Sequence, residues 1–151
     1  MLRDQSLVAA KGVLASLMEI AYVRRVRVGL MQFAGQGVRE IGPPQRAPKQ
    51  VCGWLAGILG GGGTPLRQGL ETAIRVLERE RKRFPREQQT LILLTDGRSR
   101  DALDGIQIPC RTLVIDTERG PIRLGRCRQL ASALNAEYLA LDSLPLCQGS
   151  G

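Results

Sequence analysis

"TLILLTDG", residues 90–97, is an unbroken apolar run that ends on an acid and a glycine. A strand with one wet face alternates apolar and polar side chains, whereas a strand covered on both faces is apolar throughout. The run therefore predicts a buried strand of the parallel type, with Asp96 at its carboxyl end. "CRTLVIDTE" (110–118) has the same character, and "AEYLALDSL" (136–144) supplies a last strand. Helical patterns lie between them. Over residues 65–83, Leu66, Leu70, Ala73, Ile74 and Leu77 share one face, and residues 124–134 form a second helix. Upstream, residues 4–24 place Leu7, Ala10, Leu14, Leu17, Met18 and Ala21 on one helical face, away from Lys11 and Glu19. "VRVGLMQF" (26–33) is a strand by its β-branched content, and "VREI" (38–41) is a shorter one. Gly35 and Gly37 between them predict a hairpin, and "GPPQRAP" is expected to end it, since consecutive prolines cannot donate to a ladder. Helices alternating with buried strands predict an open α/β sheet, doubly wound and mostly parallel, with helices on both faces.

A chain of 151 residues is one domain by its length, and 43% hydrophobic with 24% charged residues is globular composition. The net charge is +8, carried by 19 arginines and only Lys11, Lys49 and Lys82 as lysines. The arginines are spread along the chain. Tyr22, Phe33, Trp54, Phe84 and Tyr138 do not interleave with them as a base-stacking platform would, so a solvated basic surface or an acidic protein partner is favoured over nucleic acid. Cys52, Cys110, Cys127 and Cys147 show no C-x-x-C spacing and the chain has no histidine, which argues against zinc and for reduced thiols. No apolar run approaches the roughly 18 residues of a membrane span, and no signal-peptide pattern is present. A soluble, cytoplasmic protein without membrane contact is expected.

The second informative stretch is "LGGGGTPLRQGLETA", residues 59–73. A phosphate-binding P-loop carries lysine before its Ser/Thr, because that ammonium reaches the phosphates. Here Gly63 stands in the lysine place and Thr64 in the hydroxyl place. Residues 50–59 are expected to form a short helix before the loop. Pro65 then suits the first turn of the helix after it, with Thr64 as N-cap. In doubly wound sheets ligands bind beyond the carboxyl ends of the strands, the edge that Asp96 and Thr64 share. A carboxylate and a hydroxyl are hard oxygen ligands that suit Mg2+, although two of them make a weak site. Alone, Thr64 reads as a helix cap and Asp96 as a turn residue; together, in this order, they carry more. Asp116 and Glu118 read as the start of a polar loop, with a secondary role near the site as the other option.

"FAGQGVREIGPP", "GGGGTPLRQGL", "LILLTDGRSR" and "TLVIDTERGPIRLGRCRQLASALNAEYLALDSL" resemble the von Willebrand factor A domain at the carboxyl end of magnesium-chelatase D subunits and related cobaltochelatase subunits. The resemblance covers nearly the whole chain, in order. It implies a metal-ion-dependent adhesion site made from three loops: Asp-x-Ser-x-Ser after the first strand, a threonine after the glycines, and an aspartate ending a later strand. Thr64 and Asp96 match the last two. The first is absent, and the opening "MLRDQSLVAAKGVL" resembles the family's sequence just after that loop. The expectation is a single vWA-like domain over 1–151, incomplete at its N-terminus, with Met1 an internal methionine. The central first strand, between "VRVGLMQF" and "TLILLTD", is missing on this view. Mg2+ binding should then be weak or absent, and stability low, because two strand edges lose their ladder partner.

The resemblance implies a domain that makes no bonds itself. It docks a partner whose acidic side chain completes the Mg2+ shell, coupling an AAA+ ATPase subunit to metal insertion into a tetrapyrrole. The tetrapyrrole-binding chelatase subunit is a further partner. Gly63 is a partner-facing candidate, and Arg98 and Arg100, directly after Asp96, either flank an incoming carboxylate or are ordinary solvated arginines. Any enzyme class belongs to the whole chelatase, a ligase forming nitrogen–metal bonds. Two alternatives stay open: an inactive truncated fragment, and a phosphate-binding enzyme using the glycine loop. The missing lysine and the lack of histidine stand against the latter.

Overall fold

The computed structural model describes residues 2–34, 37–49, 53–54, 65–97, 99, 101–117 and 125–141. Helix α1 (Leu2–Arg24) leads into an antiparallel pair, β1 (Arg27–Ala34) and β2 (Gly37–Arg46). Helix α2 (Leu66–Arg83) follows, then β3 (Thr90–Thr95), β4 (Arg111–Asp116), helix α3 (Arg126–Ala133) and β5 (Glu137–Ala140). The last three strands form a parallel sheet in the order β3-β4-β5.

The hairpin is as expected, but the prolines do not end it. β2 continues through Pro43 and Pro44 to Arg46, whose partner is Arg27. A register shift between Val28 and Leu30 leaves Pro43, Pro44 and Gly29 out of the paired positions, and a second, between Leu30 and Met31, leaves out Ile41. A bulge is where a residue without an N–H does least harm to a ladder. Of the expected helix over 50–59, only Gly53 and Trp54 are described, and both are helical. Pro65, not Thr64, occupies the N-cap position of α2. Thr64 itself lies outside the described residues.

Alternate side chains of β3 enter two different cores, as the continuous apolar run requires. Leu93 and Leu91 join Leu66 and Leu70 of α2, with Val114, Cys127, Leu130 and Leu134. Ile92 and Leu94 point the other way, toward Val13 and Leu17 of α1, with Ile115 and Leu141. Helix α1 thus covers one face of the parallel sheet, and α2 and α3 cover the other. Val13, fully buried, is the anchor of α1.

Both long helices also touch the hairpin. α2 reaches β1 at Gly69, where a Cβ would lie 2.6 Å from the Phe33 ring, so only glycine allows this approach. At the far end of α2 the buried Glu80 pairs with Arg27 of β1, whose guanidinium also stacks 3.7 Å from the Phe84 ring centroid. The described strands therefore make two sheets, β1-β2 and β3-β4-β5, held under the same pair of helices.

Candidate functional site

In register, Thr95 of β3 lies beside Asp116 of β4, and Asp116 beside Ala140 of β5, forming one row at the carboxyl edge of the parallel sheet. Asp96 stands one residue beyond this row and is half-buried. Thr95 ties the edge together. Its carbonyl accepts the Thr117 N–H at 3.0 Å and the Cys127 thiol at 3.3 Å, and its Oγ1 accepts the Gly97 N–H at 3.1 Å. The turn that carries Asp96 is thus fastened to β4 and to α3.

Asp116 does not begin a polar loop. It is the last residue of β4 and only 3% exposed, and the Tyr138 hydroxyl donates to its Oδ2 at 2.7 Å. Burial, and then that hydrogen bond, push Tyr138 up to about 12. A phenol held neutral against a buried carboxylate is a structural clamp, and Arg128 covers the Tyr138 ring at 4.5 Å from its centroid. Glu118 lies outside the described residues, as do Thr64, Gly63, Arg98 and Arg100. Of the residues expected at or near a metal or partner, the structure therefore places Asp96 at the expected edge and Asp116 in the sheet beside it.

No group of three His, Cys, Asp or Glu side chains able to hold a metal occurs among the described residues. Mg2+ asks for six oxygens in near-octahedral array, and one half-buried carboxylate does not meet that. The described residues alone do not fit the ion. Neither described thiol is activated: the Cys127 thiol is buried and bonded to Thr95, and burial pushes the Cys110 thiol up, away from the reactive thiolate.

A second fastening was not legible in the sequence. The Arg67 N–H in the first turn of α2 donates at 3.0 Å to Asp101 Oδ2, which serves as an N-cap acceptor from a loop far along the chain. The Arg67 guanidinium donates to the carbonyls of Ala102 (2.8 Å) and Asp104 (2.9 Å). The start of α2, directly after the glycine loop, is thereby clasped to the loop that follows Asp96. Residues 34 and more positions apart leave no local pattern for such a contact. Beside the clasp opens a cleft of about 700 Å3, bounded by the β3–β4 loop, the start of α2 and the outer side of α3.

A sheet wound with helices on both faces and a half-buried acid at its carboxyl edge is the setting in which the comparisons with known proteins fall. Residues 1–98 match the von Willebrand factor type A domain, and the chain belongs to that family. Its relatives include the magnesium-chelatase 60 kDa subunit of Cereibacter sphaeroides, 38% identical over 87% of this chain and 26% of that subunit. The magnesium-chelatase 67 kDa subunit of Chlorobaculum tepidum is 27% identical over 89% of this chain and 26% of its own length. An uncharacterized protein of Mycobacterium tuberculosis is 31% identical over 94% of this chain and 24% of its own. The chain spans about a quarter of the length of these relatives. No helix among the described residues is long and apolar enough to cross a membrane.

Proposed function

We propose that this chain is a docking module of an ATP-dependent magnesium or cobalt chelatase of tetrapyrrole biosynthesis, working in the cytoplasm and making no bonds itself. The supporting observation is the edge at Asp96: a half-buried carboxylate on a fastened turn, where the neighbouring Asp116 carboxylate and Cys127 thiol are buried and already hydrogen-bonded. Such an edge suits recognition better than turnover. Its partner is the AAA+ ATPase subunit, whose acidic residue meets the edge through a shared Mg2+, since two carboxylates alone repel. A tetrapyrrole-binding subunit is the second partner. The net charge of +8 favours acidic partners at a distance and speeds their encounter.

Thr64 and Asp96 are the residues that would hold Mg2+, and this chain alone should hold it weakly or not at all. Titration calorimetry with MgCl2 should give no saturable heat below about millimolar concentration, the affinity range of the weakest protein sites for hard divalent cations. Saturation at micromolar Mg2+ would reverse that expectation. The docking role is tested by immobilising the chain and titrating the AAA+ subunit over it in about 10 mM MgCl2, enough to load a site of millimolar affinity. Asp96→Ala and Thr64→Ala should each weaken binding about tenfold or more, the usual effect of losing a central interface residue. Unchanged affinity in both variants would remove the docking role from this edge.

A further inference from the structure

We infer that the cleft beside Asp96 is the specificity pocket of the docking edge, and that it receives an aliphatic side chain of the partner flanked by an acidic residue. This rests on the docking role proposed above and names the chemistry of what docks. The floor of the cleft is apolar: Leu66 and Leu130, both buried, with Leu103 and Ile106 half-buried beside them. Its walls carry charge of both signs. Asp101 on the loop side already accepts the Arg67 N–H and so has less to offer an incoming group. On the α3 side, Arg126 is half-buried, and its guanidinium makes no hydrogen bond or ion pair among the described residues.

A half-buried guanidinium without a counter-charge is poorly solvated and gains most from a carboxylate, which its planar fork binds in a bidentate fashion. Charge complementarity thus selects an acidic occupant, in keeping with the +8 charge of the chain. Asp104, on the opposite wall and also without a side-chain partner among the described residues, disfavours a second acid there. It leaves room for an amide or a basic residue. The apolar floor between the two walls takes the aliphatic side chain. Burying a leucine-sized group there contributes roughly 2 kcal/mol, equal to about thirtyfold in affinity.

Three substitutions at two positions test the pocket without touching the core. Ala133 lines the cleft from the exposed side of α3, so Ala133→Trp should fill it while leaving the fold intact. Arg126→Glu reverses the charge, and Arg126→Lys keeps it. Binding of the AAA+ subunit should fall about tenfold or more in Ala133→Trp and in Arg126→Glu. Arg126→Lys should lose less than Arg126→Glu. Circular dichroism spectra matching wild type exclude unfolding as the cause. If Asp96→Ala weakens binding and the cleft variants do not, the docking role stands and the pocket is overturned.

A second readout does not depend on the AAA+ subunit. A short fluorescent peptide with one leucine between a glutamate and a glutamine should bind the wild-type chain, and should bind Ala133→Trp and Arg126→Glu more weakly. Its leucine-to-serine version should bind wild type more weakly than the parent does. Equal anisotropy changes for both peptides, or for wild type and Ala133→Trp, would overturn the pocket.

Discussion

At Gly97 the backbone has φ +79°, and a Cβ added there would lie 3.0 Å from both Arg126 Cβ and Cys127 Sγ. The first condition alone costs an ordinary residue about 1–2 kcal/mol, and overpacking adds about 1–3 kcal/mol because α3 is fastened through Cys127 and cannot easily retreat. Gly97→Ala should therefore lower the melting temperature by roughly 5–15 °C in a domain of this size. A drop under about 2 °C would show that α3 yields at no cost. Tyr138 makes a prediction of the opposite kind, in pH. Its folded value, about 12, lies above the ordinary 10 of a free phenol. The unfolded chain thus releases this proton first. The stabilisation is complete below pH 10, falls as pH rises from there, and is gone above about 12. Subtracting the absorbance titration of Tyr138→Phe from that of wild type isolates this one phenol, and the midpoint should lie near 12. A midpoint near 10 would mean that the bond to Asp116 is not made in solution.

Among the elements, α2 carries the most tertiary information, and its two ends differ in how they are held. At its start the missing cap is replaced by Asp101, so Asp101→Ala should cost about 0.5–2 kcal/mol, as the loss of any N-cap acceptor does. Asp101→Asn, which keeps an acceptor oxygen, should lose clearly less; urea denaturation of both separates capping from charge. At its end Glu80 is 8% exposed and faces Arg27 and Arg83. Removing one partner of a fully buried pair costs about 3–5 kcal/mol, but Arg27 keeps Glu87 at 3.5 Å and the Phe84 ring. About 1–3 kcal/mol is thus the expected loss for Glu80→Ala, by the same denaturation, the scale of one unsatisfied buried group. These contacts also mark the limit of what the sequence made legible. Helical periodicity, apolar runs and β-branched content together located every described helix and strand, since Leu66, Leu70 and Ala73, or Leu91 through Leu94, declare their buried faces locally. Asp96 at a strand end was legible for the same reason. Where legibility failed, the deciding contact was distant: the bulge that admits Pro43 and Pro44 depends on β1, the cap of α2 on Asp101, and the burial of Asp116 on Tyr138. Charged residues such as Glu80 read as surface until a partner from another element covers them.

On the scale of the whole molecule, the two sheets raise the question of what joins them. β4 has a ladder partner on each side, whereas β1 and β3 each pair on one side only among the described residues. Yet β3 is covered above and below by α1 and α2, so the edge that has no ladder partner among the described residues lies in a chain segment built for burial. Buried backbone groups without partners cost about 1–3 kcal/mol each, and ordinary domains are stable by only about 5–15 kcal/mol, so a few such groups consume much of the margin. The +8 charge adds self-repulsion. The 151-residue chain is therefore expected to unfold early and over a broad urea range. In hydrogen exchange the amides of β4 should be the slowest, with those of β1 and β3 opening first. We propose that a fused segment carrying the strand and Asp-x-Ser-x-Ser loop implied by the family resemblance would pair between β1 and β3. It should slow exchange in both strands, sharpen the transition and bring saturable Mg2+ binding through Thr64 and Asp96. If the chain without it already unfolds in one steep transition, with β3 as protected as β4, then the edge of β3 is satisfied from within the chain. The low-stability expectation would then fall, while the docking edge at Asp96 would be untouched, because its fastening through Thr95, Gly97 and Cys127 needs no further strand.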